Sequence, residues 1–335
     1  MELMRKATKR SAKSTVRSVA RVCLFLFLLV TAPGHAIETL LVFRPEGKDF
    51  TEVLKGMKSE LQGEYRIEEW LITADLKPED MDIRIKQANP KLIILMDNWI
   101  INLFKKYQYA LPDSAAVIPS VSLMAISLEK EIAGLKRATG ISYEVPIITS
   151  AVNLRNIIGK PIPKIGVVHR EFLNGFIADN SGYCKKEGIE IVSVALKNKE
   201  EDFKGSVKNA LELLFQDRKI DVLWVPNDNV LLSVDIIKTV WLPLIHKYQK
   251  PVIVGVETLV NPALGFGTFA VLPDHVELGK QLAGKILEIS DSGFKVQSGS
   301  VNQPLSVIKI LDLAQARKIL NLGKERLGSV DKVME

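Results

Sequence analysis

The chain has 335 residues, 47% of them apolar and 25% charged, a balance that excludes disordered, collagen-like and disulfide-scaffold classes and leaves room for two ordinary domains. Its formal net charge of +6 is concentrated at the start: residues 1–21 hold seven basic side chains (Arg5, Lys6, Lys9, Arg10, Lys13, Arg17, Arg21) and one acid, Glu2. Removing these from totals of 45 and 39 leaves 38 of each sign, so the body is neutral and nucleic acid is not an expected partner.

Directly after the basic stretch comes an uncharged apolar run, Val22-Cys23-Leu24-Phe25-Leu26-Phe27-Leu28-Leu29-Val30, and then Thr31-Ala32-Pro33-Gly34-His35-Ala36. A basic segment, a short apolar core and small residues at Gly34 and Ala36 predict a signal peptide over 1–36 and a periplasmic location. The run is too short for the ~20 residues of a spanning helix. Cys23 precedes most of the run and is badly placed for a lipid anchor. Cleavage leaves Cys184 alone, without a disulfide partner, and it reads as a core or surface thiol.

From Ile37 onward, β-branched runs alternate with helical stretches. Strands are predicted at Thr39–Arg44, Tyr65–Ile72, Lys91–Asp97, Ala116–Ser122, Lys164–His169, Glu190–Leu196, Asp221–Pro226, Pro251–Glu257 and Gly267–Leu272. Runs such as Leu92-Ile93-Ile94-Leu95-Met96 have no polar alternation, the mark of strands buried on both faces of a parallel sheet. Phe50, Val53, Leu54, Met57 and Leu61 form one helical face; Val207–Phe215 and Val276–Leu287 form others, the last with Asp274 as N-cap. Val230–Lys247 reads as a core helix kinked near Pro243. The pattern runs to residue 125, breaks, and resumes at Lys164. It predicts an α/β fold of two doubly wound parallel-sheet lobes joined by a hinge, the first of residues 37–147 plus about 274–300, the second of 148–273 plus about 301–335.

Catalytic signatures are missing. The Gly-Lys pairs at 47–48, 159–160, 279–280 and 323–324 lack the Ser or Thr of a phosphate loop. No Gly-x-Ser-x-Gly elbow is present, and Gly265-Phe266-Gly267 reads as a turn. His169, His246 and His275 lie far apart without metal-ligand spacing. Neither a catalytic residue, a cofactor nor a metal is expected, and the chain reads as a binding protein rather than an enzyme. His169 is either a cleft residue or a strand-end histidine bonded to a loop.

Ligands of open parallel sheets bind beyond the carboxyl ends of the strands. Two such ends stand out. Pro226-Asn227-Asp228-Asn229 offers Asp228 as a polar anchor with Asn227 and Asn229 in support, or else a plain helix cap. Asp97-Asn98-Trp99 holds the matching place in the first lobe, with Trp99 either a stacking plane or a core anchor. Ser122 and Glu257, at other strand ends, complete the expected ligand-binding set.

These residues bring the chain close to a known family. Thr139-Gly140-Ile141-Ser142, Pro163-Lys164-Ile165-Gly166-Val167-Val168, Val225-Pro226-Asn227-Asp228-Asn229, Pro251-Val252-Ile253 and Gly265-Phe266-Gly267 with Leu278-Gly279-Lys280-Gln281 resemble segments of the tryptophan/tyrosine-binding-like substrate-binding proteins of ABC transporters. The resemblance implies a type I periplasmic-binding fold, an amino-acid-like or aromatic ligand, and a membrane permease as partner. Asp97-Asn98 stands where that family carries Gly-Thr, and its Asp-Pro after the fourth strand is replaced around Leu123–Ser127. An acid where a ligand carboxylate would dock is electrostatically unfavourable. A periplasmic sensing module signalling to a membrane kinase or cyclase is the alternative. A glycosyltransferase-like α/β enzyme using Asp97, Asp228 and Glu257 is a third reading, disfavoured by the export signal.

Overall fold

The computed structural model describes residues 37–73, 75–112 and 114–335; the predicted signal peptide, with Cys23, lies outside the described residues. The first lobe runs β1 (Glu38–Arg44), α1 (Lys48–Leu61), β2 (Tyr65–Leu71), α2 (Pro78–Ala88), β3 (Leu92–Met96), α3 (Asn98–Ala110), β4 (Ser120–Leu123), α4 (Leu128–Ile132) and β5 (Ala138–Ile141). The chain then crosses into α5 (Ile147–Ile158), β6 (Lys164–Arg170), α6 (Asn174–Lys186), β7 (Glu190–Leu196), α7 (Phe203–Glu212), β8 (Val222–Val225), α8 (Val234–Ile236), α9 (Leu242–Tyr248), β9 (Val252–Val254) and β10 (Phe269–Pro273). It returns through α10 (His275–Asp291) and β11 (Val301–Asn302), then crosses a third time into β12 (Val307–Asp312), α11 (Leu313–Leu320) and β13 (Lys332–Met334).

The first sheet has the order β11-β5-β4-β3-β1-β2, all parallel, and the second β13-β12-β10-β9-β8-β6-β7, with β10 and β12 antiparallel. Alternation places Leu40 and Val42 of β1 against α1 and α10, and Leu41 and Phe43 against α2 and α3. All four are fully buried, each worth roughly 1.5–3 kcal/mol relative to exposure. Both faces of each sheet are therefore covered. Among the described residues no helix is long and apolar enough to cross a membrane.

All nine predicted strands have counterparts, the fourth and eighth shortened to Ser120–Leu123 and Val252–Val254. Four strands escape the sequence patterns: β5, β11, β12 and β13. β5 has four residues and β11 two, too few to establish a period. The kink within Val230–Lys247 is a wide π turn at Ile237–Trp241 between α8 and α9, just before Pro243, whose nitrogen has no hydrogen to donate.

Helices α1 and α10 approach backbone to backbone. A Cβ on Gly279 would lie 2.0 Å from the Val53 carbonyl oxygen, and one on Gly56 2.0 Å from that of Val276. Gly279→Ala would gain about 1 kcal/mol in helix propensity but force the helices apart. We expect a net loss of about 1–3 kcal/mol in urea unfolding. An equal or greater stability would contradict the close packing.

Candidate ligand cleft

Parallel order in both sheets brings the carboxyl ends of β1, β3, β4, β6, β8 and β9 and their following loops toward the segments that cross between lobes. At the end of β3, Asp97 has φ 98, a region that favours glycine. Its carboxylate accepts from the Trp99 N–H at 2.7 Å and caps α3, while burial raises its pKa. Holding a non-glycine residue there costs of order 1–3 kcal/mol. Asp97→Gly relieves that strain, loses a few tenths of a kcal/mol in capping, and adds about 0.5–1 kcal/mol of chain entropy cost. The expected net gain is about 1 kcal/mol, read by urea unfolding; a loss would show that Asp97 is held without strain.

Asn98 turns its amide to the loop after β4. Its Nδ2 donates to the Ile126 carbonyl and its Oδ1 accepts the Ile126 N–H, both at 2.8 Å. It positions a loop with one of its two N–H donors and its carboxamide oxygen. Trp99 is 40% exposed, so the core-anchor reading fails and a free aromatic face remains. Ser122 is fully buried, with a hydroxyl that has no partner among the described residues.

In the second lobe the expected polar anchor is already committed. Asp228 is buried and bound in a fork by Arg170, whose Nε and Nη2 reach Oδ2 and Oδ1 at 2.7 and 2.8 Å. Oδ1 also accepts from the N–H groups of Val230 and Leu231. Three of the four lone-pair positions of the carboxylate are thus occupied or shared, and Asp228 acts as the orienter of Arg170 rather than as a free acceptor. Arg170 donates further to the Asn198 carbonyl and stacks over Phe172, 4.8 Å from the ring centroid. Three of its five N–H groups are used, which leaves two. His169 is buried, its Nδ1 paired with the carbonyl of Arg170, the last residue of its own strand rather than of a loop, and burial lowers its pKa.

Asn227 points inward to a cavity of about 30 Å³, lined also by Tyr143, Glu144, Phe176, Trp224 and Gly255. Its Nδ2 donates to the Gly255 carbonyl at 3.3 Å, and its buried Oδ1 is unpartnered among the described residues. That volume suits a water-sized group. Asn229 is exposed, and Glu257 pairs with Lys332 at 2.5 Å.

A roomier cavity than this one, of about 170 Å³, lies beside the crossing after β5. It opens between the start of α4 and α6, with Ser127, Lys130, Glu144, Phe176, Asn180 and Tyr183 in its wall. None of the eight residues expected from the sequence lines it. Glu144, on the crossing after β5, lines both cavities; its Oε2 accepts the Ser127 N–H at 2.7 Å, and burial raises its pKa despite that bond and nearby Lys130. Asn180 accepts from the Ile147 N–H and donates to the Phe176 carbonyl, so it ties the crossing to α6. Lys130 donates to the Phe172 carbonyl, a direct bond between the lobes. A glutamate within the apolar stretch Ile141–Ile148 was the one sequence signal for this place.

No family model matches the sequence, and no curated protein sequence matches it. Solved structures do. A ligand-free, open substrate-binding protein with adhesive properties from Clostridium difficile superposes with a TM-score of 0.63 at 16% identity, over 89% of this chain and 99% of that one. A conserved domain protein from Vibrio cholerae gives 0.55 at 16% identity, over 89% and 99%. An ABC domain from Streptococcus pneumonia in complex with L-Trp gives 0.52 at 16% identity, over 89% and 100%. Likeness at this identity establishes the architecture: the chain has the two-lobed type I periplasmic-binding fold.

Proposed function

We propose that the chain is an exported solute-binding protein whose lobes close on a small molecule and present it to an ABC permease. The observation that carries this reading is the cavity of about 170 Å³ walled by one helix of each lobe, with the half-buried carboxylate of Glu144 at its side. The three crossing segments would serve as the hinge, and a ligand touching both walls would shift the population toward the closed form. The apolar run at 22–30 behind a basic segment supports export.

The wall chemistry favours a ligand with an ammonium group and an apolar or aromatic body. Glu144 has one backbone donor, so a ligand cation would supply the partner it lacks, while Phe176 and Tyr183 offer aromatic surface. Native mass spectrometry of protein purified from its own periplasm tests the reading. A small molecule held in the gas phase and released on activation is expected. Protein that carries none, and that no cationic solute converts to a bound form, would contradict it.

A further inference from the structure

We propose that Asp49, Glu52 and His275 form a binding site for a divalent transition-metal cation, zinc by their ligand chemistry. The three come together through the glycine contact described above. Asp49, Glu52 and Gly56 lie on one stripe of α1, and His275 and Gly279 are one turn apart on α10. Where Gly56 and Gly279 let the backbones touch, the first turns of both helices are held side by side, and the three donors face each other there.

The imidazole is the fixed member. Its side chain is 11% exposed, its ring stacks on Tyr143 at 5.9 Å and 4°, and its Nε2 is 3.0 Å from the Tyr143 hydroxyl. The remaining nitrogen, Nδ1, makes no hydrogen bond among the described residues and is aimed at the carboxylates, 3.7 Å from Asp49 Oδ1 and 3.5 Å from Glu52 Oε2. One ligand atom from each residue lies within 4.8 Å of the others. Bonds of about 2.0–2.2 Å in a tetrahedral zinc shell place donors roughly 3.3–3.6 Å apart. The separation to Glu52 already matches, and that to Asp49 lies just beyond the range. The carboxylates are 56% and 36% exposed, free to close the rest.

One nitrogen and two oxygens suit zinc, and three protein ligands leave a position for water. The Tyr143 hydroxyl, 3.0 Å from Nε2, can accept from that nitrogen. With Nδ1 on the cation, Nε2 carries the hydrogen and donates to that hydroxyl, the outer-shell bond that fixes tautomer and ring. Two effects oppose binding. The helix starts carry about half a positive charge each. Lys48, 3.6 Å from Glu52 and 83% exposed, competes for one carboxylate. Two full negative charges outweigh the first, and an exposed lysine is readily displaced.

The test is calorimetric titration of zinc chloride into the chelator-stripped full chain, and it is independent of any solute in the cleft. One zinc per chain is expected. His275→Phe keeps the stack on Tyr143 and should abolish binding; Tyr143→Phe should weaken it about 10–100-fold. The exposed pair Asp49→Asn with Glu52→Gln should also abolish it, and serves if His275→Phe does not fold. Wild type that takes no zinc up to millimolar concentration, or variants that bind with unchanged stoichiometry and affinity, would overturn the proposal.

Discussion

Replacing Arg170 with alanine is expected to destabilise the second lobe by about 3–5 kcal/mol, because it leaves the buried carboxylate of Asp228 without its cation. The side chains are 17% and 2% exposed, so solvent screens the pair little. Asp228→Ala strands the guanidinium in the same way and also removes acceptors for the Val230 and Leu231 N–H groups. Arg170→Met combined with Asp228→Leu should recover most of the loss, since apolar replacement of a buried ion pair is often neutral. Urea unfolding of the single and double variants reads these differences. A single-variant loss under about 1 kcal/mol would mean that the pair behaves as an exposed one. A fall in solute affinity on changing Asp228 would then be a folding effect unless Arg170→Lys, which keeps a charge but not the fork, shows it too.

Glu144→Gln should act on stability and on binding in opposite directions. Burial raises the carboxyl pKa above its ordinary 4.5, so between the unfolded and folded values the native state holds the extra proton. Stability therefore falls as pH rises through that window: the penalty is absent below the unfolded value and complete above the folded one. Glutamine has no such penalty and retains an oxygen for the Ser127 N–H. The variant should melt higher than wild type at neutral pH, with the difference vanishing in acid. Asp97, also raised by burial, contributes a residual slope of the same sign. Affinity for an ammonium ligand should drop about 10–100-fold, the value of a hydrogen bond to a charged group. A variant that melts lower than wild type at neutral pH would show that the carboxylate is ionised and paired.

The architecture was legible because its cause is local. Leu92–Met96 is apolar at every position and every position is buried, and the 3–4 rhythm of Phe50–Leu61 is the buried face of α1. The site was legible only in part. Strand ends direct attention to Asp97, Asn98, Asn227 and Asp228, but what each side chain does is decided by residues far along the chain. Asn98 is tied to Ile126, 28 residues away, and Asp228 to Arg170, 58 residues away. Glu144 lies on a crossing without periodicity, and His275 meets Asp49 only because two distant glycines remove the side chains between their helices. No short-range pattern carries such pairings.

The most direct measurement of the cleft is a thermal-shift survey of small amines and amino acids on wild type and Glu144→Gln at neutral pH. At least one compound with an ammonium group and an apolar body should raise the melting temperature of wild type, as binding to the native state alone requires, and leave the variant unmoved. A survey in which nothing shifts wild type, or in which both proteins shift alike, would contradict a solute site at Glu144.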